Sequence, residues 1–172
     1  IFFPVQDHDW DSPLSEKINQ DRATLIRLLQ TEFKDQFCGG MWFKNQPVPN
    51  YKDCLTNIDT DYSNYNRFLT NASIVISTEG FGNSIPWKLV EYMENGRCIV
   101  SQQNEHNFRY PIDNDTISNF KTPKECVELC KNLLKNNEKI IMMGDKSFSY
   151  YEINIKPKMV MKQILNESMG LA

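Results

Sequence analysis

The residues with chemical potential in this sequence cluster in one stretch, SIVISTEGFGNSIPWKLVEYMENGRCIVSQ, from Ser73 to Gln102. A β-branched run, Ile74 to Ile76, predicts a strand. It runs into Glu79-Gly80-Phe81-Gly82, where two glycines free the backbone for tight turns. A helix is expected from about Ser84 to Pro86, because proline suits a first turn whose N–H groups have no partner. Gly96 sits where a helix C-cap glycine belongs, and Cys98 to Val100 predicts a second buried strand. In a βαβ unit of this kind ligands bind beyond the carboxyl ends of the strands. Here that place is Thr78 to Ser84, and the open N–H groups at the helix start suit a phosphate. Lys88 can reach such a phosphate, or pair with Glu91 one turn on. A plain solvated face of Lys88, Glu91 and Asn95 would show the same spacing.

A second cluster, Asp7-His8-Asp9, has the residue types of a metal or acid–base site. Its spacing has no paired-ligand logic, and a solvated loop accounts for it. Arg22 and Arg109 are available to neutralise a diphosphate, although no local pattern selects either. Gly80-Phe81-Gly82 lacks the third glycine of a dinucleotide fingerprint, and no nucleophile-elbow, zinc-helix or P-loop motif is present.

The quoted residues also carry a resemblance. Glu79-Gly80-Phe81-Gly82 followed by Pro86-Trp87-Lys88-Leu89-Val90-Glu91-Tyr92-Met93 and Gly96 resembles the signature of the group 1 glycosyltransferases of GT-B architecture. The resemblance implies an α/β fold, a Rossmann-like parallel sheet flanked by helices, which is the C-terminal half of a GT-B enzyme. It implies that Glu91 holds the ribose hydroxyls of a nucleotide-sugar donor. It further implies that Glu79, Gly80, Phe81, Gly82, Asn83, Ser84 and Ile85 cradle its diphosphate and sugar, with Lys88 on a phosphate. The family often carries two glutamates eight positions apart. Eight before Glu91 stands Asn83, and Glu79 is twelve before. No catalytic residue is assigned, and no bound metal or cofactor is expected beyond the nucleotide-sugar substrate. The resemblance implies an N-terminal acceptor domain outside this chain, and polysaccharide biosynthesis in the cytoplasm. A non-catalytic α/β binding domain that retains the fold is the alternative. A response-regulator-like fold is disfavoured, since Pro4-Val5 stand where its acidic pair belongs.

The elements that must position these residues follow from the patterning. At 172 residues one domain, 1–172, is expected. A net charge of −3 with both signs scattered argues against a nucleic-acid-binding surface, and no apolar run approaches a membrane span. The five cysteines lack zinc-knuckle spacing and read as buried thiols. Strands are expected at Ile1 to Val5, Gln36 to Phe43, near Cys54 to Asn57, and at Ile117 to Phe120. Gln6 to Asn19 reads as a long acidic loop. Helices are expected over Asp21 to Lys34, where Leu25, Leu28, Leu29 and Phe33 recur, over Tyr62 to Thr70, and over Lys158 to Asn166. Thr122-Pro123-Lys124-Glu125 is a capping box opening a helix to about Asn136. Alternation of apolar runs with amphipathic helices predicts a parallel α/β sheet.

Overall fold

The structure, a computed structural model, describes residues 1–7, 12–44, 49–56, 58, 61–104 and 108–170. Five strands form one parallel sheet in the order β2-β1-β3-β4-β5. They are β1 (Phe2–Gln6), β2 (Cys38–Trp42), β3 (Ile74–Ser77), β4 (Cys98–Gln102) and β5 (Ile117–Phe120). Six α-helices are described: α1 (Pro13–Phe33), α2 (Tyr62–Asn71), α3 (Trp87–Glu94), α4 (Pro123–Leu134), α5 (Asn137–Tyr150) and α6 (Pro157–Ser168). This is the α/β, Rossmann-like sheet that the sequence pattern predicts.

Alternation along the strands assigns each side chain to a layer. Phe3, Val5, Ile74, Ile76, Cys98 and Val100 join Ile26 and Leu29 of α1 and Cys126 and Cys130 of α4 in one core. Phe2, Val75 and Ile99, one residue out of phase, pack with Leu69 of α2 and Leu89, Tyr92 and Met93 of α3 in the other. Both faces of the sheet are covered, which explains why its strands read as continuous apolar runs.

The chain leaves β1 through α1 toward β2, and leaves β3 through α3 toward β4. The direction of winding therefore reverses between β1 and β3, where a crevice is expected at the carboxyl ends. The β1–β3 register consists of Phe2 opposite Val75, whereas β1 pairs with β2 over all five residues. Pro4 has no N–H to give, and beyond Phe2 the two strands part.

Three expectations need correction. Gln6 to Asn19 is not all loop: α1 already begins at Pro13, capped by the Ser12 hydroxyl, which accepts from Ser15 N at 3.1 Å. The polar surface of that first turn and a half masked the helix, although Ile18, Asn19 and Arg22 are buried. The expected strand near Cys54 is a 3₁₀ turn, Pro49–Cys54, followed by a single bridge from Leu55 to Met41. Asn57 lies outside the described residues. The first strand, expected to end at Val5, runs on to Gln6, with Pro4 inside it opposite Gly40. The helix expected to end near Asn136 is followed at once by a second regular helix, α5, from Asn137. The Gly96 cap forms as expected, with φ +60°, and so does the first half of the capping box: the Thr122 hydroxyl accepts from Glu125 N, while the Glu125 carboxylate reaches back to Lys121 N at 2.8 Å.

Candidate functional site

A cleft of about 970 Å³ opens at the carboxyl ends of β1 and β3, between α2 and α3. Its walls follow from the parting of the two strands. Phe3 to Asp7 form one side and Ile76 to Thr78 the other. Ser77 lies in this wall with its hydroxyl buried and without a hydrogen-bond partner among the described residues.

Two cations face the crevice. Arg22, from the middle of α1, is buried, and its guanidinium ties the two walls together. Nη1 donates to Gln6 O at 2.8 Å, Nη2 to Glu79 O at 3.1 Å, and Nε to Thr78 Oγ1 at 3.3 Å. Burial lowers its pKa to about 10, while the Glu79 and Asp7 carboxylates oppose that shift. Lys88, in the first turn of α3, sends its ammonium to Pro4 O at 2.7 Å, across the mouth between helix and β1. Its Nζ lies 5.8 Å from the Tyr65 ring centroid. Burial, reinforced by the like charge of Arg22 and opposed by Glu91, lowers the Lys88 pKa to about 8. Two cations facing one cleft, the first of which makes charging the second harder, are an arrangement suited to a multiply charged anion.

Glu91 stands one turn beyond Lys88 on α3. Its Oε2 accepts a hydrogen bond from the Tyr65 hydroxyl of α2 at 3.0 Å. That contact fixes the carboxylate in the cleft wall rather than against Lys88. Burial first, and then Tyr92 and Glu91, hold Tyr65 well above the usual phenol range, so it stays a donor to Glu91. One turn nearer the mouth, Tyr62 on α2 and Trp87 on α3 are 79% and 84% exposed, both on the cleft wall.

The glycine loop has the form its residues require. Gly80 N donates to Ser84 O at 2.9 Å, and a Cβ on Gly80 would lie 2.4 Å from Ser84 Oγ. Gly82 adopts φ +65° inside the turn Phe81–Asn83, a left-handed conformation costly for a side-chain-bearing residue. Pro86 caps α3 rather than occupying its first turn.

Of the residues singled out in the sequence, the cleft wall brings together Gly80, Phe81, Ser84, Ile85, Lys88 and Glu91. Glu79 is not on that wall. It lies beside Arg22, in a small hollow with Leu25 and Phe120. Gly82 shapes the turn without lining the cleft, and Asn83 closes the same turn. Of the Asp7-His8-Asp9 cluster, Asp7 lines the cleft, while His8 and Asp9 lie outside the described residues, as does His106. Arg109 is turned away to pair with Glu167 of α6. Among the described residues, no group of three or more His, Cys, Asp or Glu is placed to hold a metal, and no helix is long and apolar enough to cross a membrane.

Sequence reasoning left Arg22 unselected and did not single out Tyr65, Tyr62, Trp87 or Ser77 for the site. For Trp87 the signal was available: it immediately precedes Lys88 and stands one turn before Glu91. For Arg22 there was none, because its partners lie 56 and 57 residues away in sequence.

A parallel sheet covered by helices on both faces, with its winding reversed between β1 and β3, defines the doubly wound, Rossmann-like class of α/β domain. Within that class the chain has the fold of a GT-B C-terminal domain. It is similar to the crystal structure of the C-terminal domain of a glycosyl transferase group 1 family protein (LpcC) from Francisella tularensis. The TM-score is 0.57 at 10% identity, over 91% of this chain and 85% of that one. No protein-family profile matches the sequence, and no curated protein matches it significantly.

Proposed function

We propose that this chain is the donor-binding domain of a glycosyltransferase, taking the nucleoside diphosphate of a nucleotide-sugar into the Arg22–Lys88 cleft. The observation that carries this reading is the juxtaposition of two desolvated cations with the Tyr65-held carboxylate of Glu91. Cations suit a diphosphate, and an ionised carboxylate suits the paired hydroxyls of a ribose. Lys88 and Glu91 are one helical turn apart, a spacing that suits adjoining groups of one nucleotide. The buried Ser77 hydroxyl offers a further hydrogen bond to a ligand oxygen. The glycine turn Gly80–Ser84 leaves room for the sugar at the start of α3.

During transfer, negative charge grows on the departing diphosphate. Fixed cations and helix-start N–H groups stabilise that charge more than the ground state. Here those groups are Lys88, Arg22 and the first turn of α3. The acceptor and its activating residue belong, in this reading, to an N-terminal domain beyond this chain. The isolated chain therefore binds donor and transfers nothing. The setting proposed is glycan assembly on the cytoplasmic side.

One observation favours the second reading, a binding domain without transfer activity. Asn83 stands at the spaced-glutamate position, and Glu79 is engaged beside Arg22. Calorimetric titration of UDP, GDP and CMP and their sugars separates the two. The donor reading requires selection of one nucleotide, weakened at least ~10-fold by Glu91→Ala and by Lys88→Met. Absence of binding by every nucleotide at millimolar concentration defeats it.

A further inference from the structure

The last helix is turned inside out. α6 follows the π-helical turn Tyr151–Ile155, and none of its residues is buried. Its half-buried residues are Met159, Val160, Gln163 and Asn166, so two primary amides lie on the side that meets the domain. Met161, Ile164 and Leu165, with Met169 just past the helix end, are 55%, 49%, 52% and 60% exposed. These four stand at helical spacing, three, four and eight residues on from the first, and form one apolar stripe along the outer side. An amphipathic helix normally turns such a stripe to the core. A stripe presented outward marks a surface that meets something else.

Charge tells what that is. Lys158 and Lys162, one turn apart, are exposed on one flank of the stripe, and neither makes an ion pair among the described residues. The acid of the helix, Glu167, is held by Arg109. From Lys156 to Gly170 the chain carries three lysines and one glutamate, a local charge of +2 in a chain of net charge −3. Lysine stems can lie along an apolar surface while their ammonium groups reach outward to anions. Apolar side chains on the outer line of a helix, with lysines beside them, are the arrangement that lies in the plane of a lipid interface. A second copy of the chain fits less well: it would bring the same lysines to the contact, and its Glu167 is already engaged.

We propose that the outer face of α6 docks on an anionic lipid surface, with Met161, Ile164, Leu165 and Met169 entering the interface and Lys158 and Lys162 meeting lipid phosphates. α6 then lies on the bilayer and does not cross it. The assignment does not depend on the nucleotide reading of the Arg22–Lys88 cleft.

Co-sedimentation of the whole chain with vesicles tests it. The probes are vesicles of phosphatidylcholine alone and of phosphatidylcholine mixed with phosphatidylglycerol. The expected result is binding to the mixed vesicles, weakened by added salt. Affinity should fall ~10-fold or more in Leu165→Ser, and ~5-fold in each of Lys158→Ala and Lys162→Ala. All three residues are exposed, so the variants should keep the thermal midpoint of the parent chain. Lys135→Ala, at the far end of α4, should bind as the parent does. No sedimentation with the mixed vesicles at low salt overturns the proposal. So does binding that Leu165→Ser leaves unchanged, or that Lys135→Ala weakens as much as Lys158→Ala does. Equal binding to both kinds of vesicle overturns the anionic assignment. Self-association of the chain without lipid, abolished by Leu165→Ser, would give the stripe to a second copy instead.

Discussion

The Tyr65 hydroxyl and the Glu91 carboxylate, on two helices that flank the same cleft, are 3.0 Å apart. The contact has one donor and leaves the carboxylate further lone pairs to offer a ligand. Tyr65→Phe removes a positioning group and keeps the ring that packs on Phe2. Nucleoside diphosphate affinity is expected to fall ~3- to 10-fold, less than for Glu91→Ala, since a hydrogen bond of this kind is worth ~1 kcal/mol. Inorganic pyrophosphate, which has no ribose, should bind both variants as it binds the parent chain. Equal loss of pyrophosphate and nucleotide would assign Tyr65 to general cleft structure instead.

Lys88 gives the binding a pH signature. Burial holds its folded pKa near 8, below the ordinary lysine value, so the empty cleft sheds this charge as pH rises through 8. Phosphate groups complete their ionisation near pH ~6, so above neutrality the lysine is the group that changes. Affinity for a nucleoside diphosphate is therefore expected to decline above pH 8, by up to tenfold per pH unit, until the ligand-raised pKa is reached. Lys88→Met should flatten the profile and lower affinity below pH 8. The same shift bears on stability with the opposite sign. The unfolded chain keeps this proton up to the ordinary lysine range, so the strain of a buried charge is present below pH 8 and relieved above it. A flat affinity profile between pH 7 and 10 in the parent chain would remove Lys88 from the anion seat.

Trp87 provides an optical readout. It is 84% exposed at the cleft mouth, one turn before Glu91, with Tyr62 at the same level on α2. A nucleotide seated with its ribose on Glu91 brings its base within reach of these rings. Nucleoside diphosphates should quench indole fluorescence and inorganic pyrophosphate should not. In Trp87→Phe the quenching should vanish while calorimetric affinity changes ~3-fold or less, since an aromatic surface remains. Quenching that survives in Trp87→Phe would locate the response at another tryptophan.

Gly144 tests how α5 is docked. A Cβ there would meet Gly96 O, the backbone that caps α3, at 2.5 Å. Gly144→Ala is therefore expected to lower stability by ~1–3 kcal/mol through overpacking, despite the better helix propensity of alanine. Urea unfolding measures it; a neutral or stabilising effect would mean that α5 shifts freely.

What was legible in the sequence divides by distance along the chain. The βαβ unit from Ile74 to Gln102 was read nearly residue by residue, because its strand run, glycine turn and cap are local signals. The glycine loop, Lys88 and Glu91 came with it. The start of α1 was missed although Ser12-Pro13 is itself a start signal, because the turns after it are polar on the surface. The strand near Cys54 was mistaken because the short run Cys54-Leu55-Thr56-Asn57 cannot reveal whether it finds a sheet edge; among the described residues one bridge at Leu55 forms there. Arg22 and Tyr65 acquire their roles through contacts 16 to 57 residues away, and no periodicity carries that information.

Arg22 is both the hinge pin and the lining of the cleft. Its guanidinium bridges the exits of β1 and β3 through Gln6 O and Glu79 O, so whatever draws on its charge also tugs on both exits. Occupancy of the crevice is then a mechanical event for the scaffold as well as a chemical one. A ligand held there should slow amide hydrogen exchange at the two strand exits together. An empty domain should breathe at this seam before anywhere else in the sheet.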